Sequence, residues 1–220
     1  MNGRVVFLGS FNPIHDGHLD VIDYLINDGY LDIDLIVSPH NPQKDINSLL
    51  PFDLRVEICN AAISDDFGGM DGIPNYEGRT QKWSHINVNT IEENLSPPYY
   101  TYKTLRKLTE EYNEKPIILV LGSDVIDNLD TWENFEEISK YPIIEMTRPI
   151  PFSDIDIMEV NSIIREKLNI ITILDIWNDM SSTIIREKME KGEVDFVKKN
   201  MTPTSFKIYN RHCNIKKIIG

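Results

Sequence analysis

One short stretch near the start of the chain constrains the fold more than any other. The apolar run Val5–Leu8 predicts a strand buried on both faces, and apolar residues recur at helical spacing from Leu19 to Ile26. Between them, Gly9 and Gly17 allow a sharp turn and a close approach of main-chain N–H groups to an anion. The helix that follows directs its positive end to the same place. The stretch therefore predicts a strand, a phosphate-binding loop and a helix.

The predicted loop reads Gly-Ser-Phe-Asn-Pro-Ile-His-Asp-Gly-His over residues 9–18. It resembles the signature of the nucleotidyltransferases that are named for their histidine-glycine-histidine motif, and every fixed position is matched. Those enzymes join a nucleoside monophosphate to a phosphorylated acceptor and release pyrophosphate. For this chain the resemblance implies ATP binding by Gly9, Ser10, Phe11, His15 and His18.

Two other interpretations of the histidines remain open at this point. They are two surface side chains on a turn, or two ligands of a zinc site. No further His or Cys lies nearby in the sequence to complete a tetrahedral set, so a carboxylate such as Asp16 or Asp20 would have to serve.

The overall charge and the apolar runs exclude some classes of partner. A net charge of −13 argues against a protein that wraps nucleic acid, but a small phosphorylated substrate needs only local cations and helix ends. No apolar run approaches the roughly 20 residues of a membrane span, and none resembles a secretion signal. We expect a cytoplasmic protein that binds neither nucleic acid nor membrane; the sequence leaves open whether it forms homo-oligomers.

The rest of the chain predicts alternating strands and helices. We expect an α/β fold, namely a Rossmann-like, doubly wound, mainly parallel sheet with helices on both faces and a small C-terminal helical extension that ends in a short closing helix. Residues 1–180 would form the nucleotidyltransferase core, with a surface insertion at 65–84, and residues 181–220 a helical segment packed on the same domain. The predicted strands are Val5–Leu8, Ile33–Val37, Ile86–Val88, Ile117–Leu121, Pro142–Met146 and Ile171–Leu174.

Two basic residues follow the second strand. Lys44 ends a polar, proline-broken segment at the carboxyl end of that strand, which is where ligands bind in open parallel sheets. Arg55 lies in a predicted helix over 51–64, and the resemblance places an arginine near the active site there. Both are candidates for binding the pyridine nucleotide, although each also suits an ordinary solvated side chain.

A second match narrows the acceptor. Gly122-Ser123-Asp124 follows the clearest buried strand, and Leu129-Asp130-Thr131-Trp132 comes shortly after it. Together they resemble nicotinate-nucleotide and nicotinamide-nucleotide adenylyltransferases. This resemblance implies that Gly122 and Asp124 bind ATP, and that Trp132 stacks on the pyridine ring; a tryptophan of the apolar core is the alternative.

The segment Tyr100-Thr101-Tyr102-Lys103-Thr104-Leu105 also resembles the same family and implies that Thr101 contacts the pyridine nucleotide, although Thr101 could also be only a helix cap. We expect Thr101 and Trp132 at helix starts, whose free N–H groups favour a carboxylate over a neutral amide.

A third match lies near the C-terminus. Ser181-Ser182-Thr183-Ile184-Ile185-Arg186 resembles the family's second phosphate-binding element, and implies ATP binding by Ser181, Ser182, Thr183 and Arg186. Serine and threonine are good N-caps, and the arginine lies one turn into the predicted helix. A helix that is merely well capped is the alternative.

These matches predict adenylyl transfer from ATP to nicotinate mononucleotide, which gives deamido-NAD and pyrophosphate, a step of NAD biosynthesis. His15, His18, Lys44 and Arg186 would be the catalytic donors, and Mg²⁺ would be bound mainly through the ATP phosphates without a protein ligand. Three alternatives remain: nicotinamide mononucleotide as the main acceptor, a related enzyme such as pantetheine-phosphate adenylyltransferase, and a non-catalytic nucleotide-binding regulatory module. The Leu-x-Thr-Trp segment argues against the pantetheine enzyme.

Overall fold

A six-stranded sheet forms the centre of the structure, a computed structural model that describes residues 3–42, 45–65, 86–113, 115–147, 163–176 and 178–219. Each of its strands lies where the sequence predicts one, within a residue or two at either end. They are Arg4–Gly9 (β1), Asp32–Val37 (β2), Ile86–Asn89 (β3), Ile117–Gly122 (β4), Pro142–Thr147 (β5) and Asn169–Asp175 (β6).

The sheet is parallel throughout, with the strand order β3-β2-β1-β4-β5-β6. The chain first builds outward from β1 to β3, and then returns to the centre and builds outward from β4 to β6. This reversal leaves a crevice at the carboxyl ends of β1 and β4, which is where ligands bind in doubly wound sheets. The predicted Rossmann-like fold is confirmed.

Helices connect the strands and continue beyond β6. They are Asp16–Asn27 (α1), Phe52–Asp65 (α2), Thr101–Glu111 (α3), Ser123–Ile126 (α4), Phe135–Ile138 (α5), Ser182–Glu190 (α6), Val194–Lys199 (α7) and Pro203–Ile219 (α8). Among the described residues, short 3₁₀ turns cover Ile46–Ser48, Ile91–Asn94 and Leu129–Thr131.

Two apolar clusters, one on each face of the sheet, hold these helices in place. On one face Val5 shares a cluster with Ile22 of α1 and Ile58 of α2. On the other face Val6 shares a cluster with Leu105 of α3. Because successive side chains of a strand point to opposite faces, a strand with helices on both sides needs an unbroken apolar run. Helices on both faces are thus confirmed.

The C-terminal segment packs on the first of these clusters. Ile185 of α6, Val197 of α7 and Phe206 of α8 all belong to it. The N–H group of Asp16 also donates to the carbonyl of Asn200 at 3.0 Å, which ties the start of α1 to this segment. The division of the chain into a 1–180 core and a 181–220 segment stays a prediction.

The prediction of a short closing helix is wrong, because α8 runs for 17 residues. Phe206, Tyr209 and Cys213 stand at i, i+3 and i+7 and pack on the first cluster, so the apolar stripe continues well past the first turn.

Some sequence predictions concern parts of the chain that the structure does not describe. Lys44 lies outside the described residues, as does the predicted insertion at 65–84 apart from Asp65, which ends α2. In the described parts of the chain, no helix has both the length and the apolar character that a membrane span requires.

Candidate active site

The loop after β1 owes its shape to Gly9. A Cβ atom at this position would lie 2.8 Å from the Cζ atom of Phe11, so only glycine accommodates the ring there. Phe11 itself is buried and has φ +43°, a left-handed conformation that is uncommon for a bulky residue. The ring of Phe11 meets the imidazole of His18 edge-on, with 5.0 Å between the centroids. The loop is thus folded over its own aromatic side chain, next to one of the two histidines.

The two histidines of the first motif come together at the start of α1. Their ring centroids are 3.8 Å apart, and His15 is buried. The backbone N–H of His15 donates to Nδ1 of His18 at 3.3 Å. In the neutral imidazole this leaves the proton on Nε2 of His18, which is therefore a hydrogen-bond donor.

The third motif docks directly on the first. Ser181 is the N-cap of α6, and its Oγ accepts a hydrogen bond from the third residue beyond it, at 3.2 Å. The Ser182 hydroxyl donates to the carbonyl of Pro13 at 2.9 Å. Arg186 donates through Nη1 to the carbonyl of Asn12 at 2.7 Å, and through Nη2 to Oγ1 of Thr183 at 3.2 Å. The two predicted phosphate-binding elements thus form one surface.

The Gly122-Ser123-Asp124 segment lies at the same edge of the sheet. It ends β4, which pairs in parallel with β1, so Gly122 and Gly9 are at neighbouring carboxyl ends. The Ser123 hydroxyl donates to the carbonyl of Met146 at 3.1 Å, which attaches the turn to β5. A Cβ atom on Gly122 would lie 2.4 Å from Oδ1 of Asp124, so the exposed carboxylate folds back over a glycine.

A cavity of about 280 Å³ opens beside the glycine loop. It brings together four of the predicted residues, namely Gly9, Ser10, Thr101 and Trp132. Its remaining lining residues are Leu8, Ser38, Asn41, Pro42, Glu92, Tyr99, Tyr100, Thr131 and Glu133. Lys44 is not described, but Asn41 and Pro42 of the segment that leads to it are on the cavity wall.

The two residues expected at helix starts differ in the structure. Thr101 is the first residue of α3, as predicted. Trp132, however, follows the 3₁₀ turn Leu129–Thr131, and α5 begins only at Phe135, so the expectation of a helix start at Trp132 is wrong. The indole is half-buried, packs against the second apolar cluster and lines the cavity.

Arg55 is not placed as a ligand of the pyridine nucleotide. Its side chain is 1% exposed, and its hydrogen bonds go to main-chain carbonyls. Nε donates to the carbonyl of Leu50 at 3.0 Å, and Nη2 donates to the carbonyl of Pro39 at 2.9 Å. Nη1 donates to the carbonyls of Ser10 and Ser38, at 2.7 Å each. Burial lowers the pKa of this guanidinium. Arg55 therefore joins the glycine loop to the loop after β2 and does not contact the cavity.

One cavity residue, Glu92, has no counterpart in the sequence predictions. It is 1% exposed, and Thr104 Oγ1 donates to its Oε1 atom at 2.7 Å. Burial raises the pKa of the carboxyl. The sequence around Glu92 is an acidic turn without a recognisable pattern, so its burial depends on contacts made only in the fold.

The described residues do not form a metal site of their own. Across residues 3–42, 45–65, 86–113, 115–147, 163–176 and 178–219, no group of three or more His, Cys, Asp and Glu side chains lies close enough together to hold a metal ion. The zinc interpretation of His15 and His18 therefore gains no third ligand from these parts of the chain.

Comparison with known proteins identifies the family of this chain. A model of the cytidylyltransferase-like family matches residues 6–188. A relative from Bacteroides fragilis is 33% identical over 190 residues, which cover 86% of this chain and 82% of the relative. One from Flavobacterium psychrophilum is 29% identical over 199 residues, which cover 90% and 89%. Both bear the name "probable nicotinate-nucleotide adenylyltransferase".

A solved structure shares the fold. The Plasmodium falciparum nicotinic acid mononucleotide adenylyltransferase complexed with NaAD superposes with a TM-score of 0.72 and 19% sequence identity, and the alignment covers 96% of each chain. At that identity the similarity establishes the fold alone.

Proposed function

The chain belongs to the cytidylyltransferase-like family and to its nicotinate-nucleotide adenylyltransferases, and on this basis we propose that it transfers the adenylyl group of ATP to nicotinate mononucleotide. The products are deamido-NAD and pyrophosphate, and the reaction is a step of NAD biosynthesis. The observation that carries this proposal is the docking of α6 on the glycine loop: Ser182 and Arg186 bind the carbonyls of Pro13 and Asn12. A triphosphate in the crevice would meet donors from both elements at once.

The reaction needs alignment and charge stabilisation more than acid–base chemistry. The acceptor phosphate is already anionic, so one of its oxygens attacks the α-phosphorus of ATP without a general base. The bond from that phosphorus to the bridging oxygen breaks, and pyrophosphate leaves with the electron pair. Positioning of the two nucleotides and stabilisation of the developing charge then supply most of the rate enhancement.

We assign this stabilisation to a set of donors at the start of α1 and α6. The Nε2–H group of His18 would donate to a phosphate oxygen, because its Nδ1 accepts from the backbone N–H of His15. Arg186 adds a planar guanidinium that can contact two phosphate oxygens together. His15 and Lys44 complete the proposed catalytic set. Gly9, Ser10, Phe11, Gly122, Asp124, Ser181, Ser182 and Thr183 complete the proposed ATP site.

We assign the acceptor to the cavity beside the glycine loop. Trp132 offers a flat indole to the pyridine ring, and Thr101 offers a hydroxyl and the N–H groups of the first turn of α3. These donors favour the acid form of the ring over the amide. Arg55 serves this site indirectly, by fixing the two loops that form its walls.

We propose that magnesium binds to this enzyme together with ATP. A magnesium ion on the triphosphate oxygens would offset the negative charge of the departing pyrophosphate. We further propose that the enzyme works in the cytoplasm on small-molecule substrates.

Release of pyrophosphate tests the proposal. The purified protein is incubated with ATP and Mg²⁺, and with nicotinate mononucleotide, nicotinamide mononucleotide, phosphopantetheine or no acceptor. We expect the fastest release with nicotinate mononucleotide, slower release with the amide, and none with the other two. Release with phosphopantetheine alone would assign the chain to the pantetheine branch, and tight ATP binding without release would make it a regulatory module.

A further inference from the structure

A buried carboxyl, that of Glu92, lies in the wall of the cavity that we assign to the pyridine nucleotide. Glu92 lies in the 3₁₀ turn Ile91–Asn94, and this turn is attached to the sheet through Asn89 at the end of β3. Oδ1 of Asn89 accepts from the first N–H of this turn at 2.8 Å, and Nδ2 of Asn89 donates to Oδ2 of the buried Asp34 at 3.3 Å. Glu92 is therefore held in place from within the fold before any ligand arrives.

The two oxygens of Glu92 have different surroundings. Oε1 accepts the hydrogen bond from Thr104. Oε2 is buried and has no hydrogen-bond partner among the residues that the structure describes. In the acid form the proton therefore belongs on Oε2, where it can serve as a donor. In the ionised form Oε2 would be a buried charge without compensation, which is costly.

Two hydroxyls, of Thr104 on α3 and of Ser38 in the loop after β2, favour the ionised form of Glu92. Burial has the larger effect, so the pKa of the carboxyl stays raised. No Lys or Arg is among the described residues that line the cavity. Among the described residues, the other titratable groups on this turn and on the cavity wall are the exposed Glu93, and Tyr99, Tyr100 and Glu133.

We propose that Glu92 determines the acceptor specificity of this cavity through its protonation state. Its acid form admits a pyridine nucleotide whose ring bears a negatively charged carboxylate, and its ionised form repels that carboxylate. A neutral ring amide is affected far less by either form. The inference rests on the proposed function, because it assumes that the pyridine ring occupies this cavity.

The effect should be measurable as a change in preference. Two carboxylates a few ångströms apart in a partly desolvated cavity repel strongly enough to lower kcat/KM by roughly tenfold or more. Below the pKa of Glu92 its side chain adds no charge to the cavity wall, and above that pKa it adds a negative charge. The preference for the acid acceptor should therefore be greatest at low pH and fall as the pH rises.

The experiment measures kcat/KM for nicotinate mononucleotide and nicotinamide mononucleotide between about pH 5.5 and pH 9.5, and follows the ratio of the two values. The titration of ATP and of the acceptor phosphate affects both reactions alike, so it cancels in the ratio. We expect the wild-type ratio to fall by roughly tenfold or more with rising pH. If Glu92 had only a structural role, its replacement would lower stability, but the ratio of the two kcat/KM values would not depend on pH.

Two substitutions identify the group responsible. Glu92→Gln keeps an acceptor for Thr104 and stays neutral at every pH, so its ratio should be flat. Thr104→Val removes a hydrogen bond that favours the charged form, so the fall should move to higher pH. Glu133→Gln is the matched control: it removes an exposed carboxyl from the same cavity and should leave the pH dependence in place.

The outcomes separate this inference from the proposed function. Pyrophosphate release with neither pyridine nucleotide would overturn the proposed function, and this inference with it. Activity with both nucleotides, together with a flat wild-type ratio, would overturn this inference alone. An equal fall in wild type and Glu92→Gln would do the same, because another group would then be responsible.

Discussion

His18 is held by backbone geometry, and this decides which of its nitrogens can reach a phosphate. Because the N–H group of His15 occupies Nδ1, the neutral ring can donate only through Nε2. A donor aimed at developing charge is typically worth a hundredfold or more in rate. The side chain is only partly buried, and its ring contacts those of Phe7, Phe11 and His15.

We therefore expect His18→Ala to lower kcat by roughly a hundredfold with little change in thermal stability. Steady-state kinetics and a thermal melt on the same preparation provide the measurement. His212→Ala, which alters a histidine of α8 away from the cavity, is the matched control and should keep wild-type turnover. A folded His18→Ala enzyme with normal kcat would remove His18 from the mechanism.

Arg186 combines a charge with a particular shape. Its guanidinium is oriented by the carbonyl of Asn12 and the hydroxyl of Thr183. Lysine keeps the charge but loses the planar fork that can bind two phosphate oxygens.

We expect Arg186→Lys to lower kcat/KM for ATP by roughly tenfold, which corresponds to one charge-assisted hydrogen bond. Kinetics with varied ATP at saturating acceptor measure this loss. The control is Arg211→Lys, an exposed side chain that pairs with Glu57 on α2. Unchanged KM and kcat for ATP in Arg186→Lys would contradict the assigned role.

At the scale of secondary-structure elements, a buried side chain helps to hold the loops around the crevice together. Arg55 of α2 donates to the carbonyls of Ser10, Ser38 and Pro39, and so links the loop after β1 to the loop after β2. Both loops contribute residues to the cavity wall.

We expect Arg55→Lys to lower the free energy of unfolding by about 3 kcal/mol, because an ammonium cannot reach all these carbonyls and some would be left buried without a donor. Urea unfolding measures this, and KM for both substrates should rise together. Arg106→Lys, at an exposed pair with Glu137, should stay close to wild type. Wild-type stability with a raised KM for the pyridine nucleotide alone would make Arg55 a ligand, as the sequence predicts.

The strands, α1 and the docked motifs could be predicted because the information for each lies in consecutive residues. An unbroken apolar run predicts β1 and β4, and the Ser-Ser-Thr segment predicts the N-cap of α6. Arg55 and Glu92 could not be placed in this way. The carbonyl that Arg55 binds at Ser10 is 45 residues away in the chain, and the burial of Glu92 depends on α3 folding over it. Roles that arise from long-range contacts leave no local pattern.

At the scale of the whole molecule, an acidic protein binds two anionic nucleotides. The net charge of −13 opposes this only weakly, because surface charges are screened beyond about 10 Å. In the proposed site the local donors decide, because the helix starts, the guanidinium of Arg186 and the imidazoles lie at one edge of the sheet, where β1 and β4 end. The topology of the sheet is thus what makes an anion site possible in this chain.

The central claim is that this edge of the sheet joins ATP to the acid form of a pyridine nucleotide, and one measurement tests it most directly. This is kcat/KM for nicotinate and nicotinamide mononucleotides, determined side by side at neutral pH. The N–H groups at the start of α3 predict that the acid form is preferred by roughly ten- to a hundredfold. Equal values for the two acceptors, or a preference for the amide, would contradict the account.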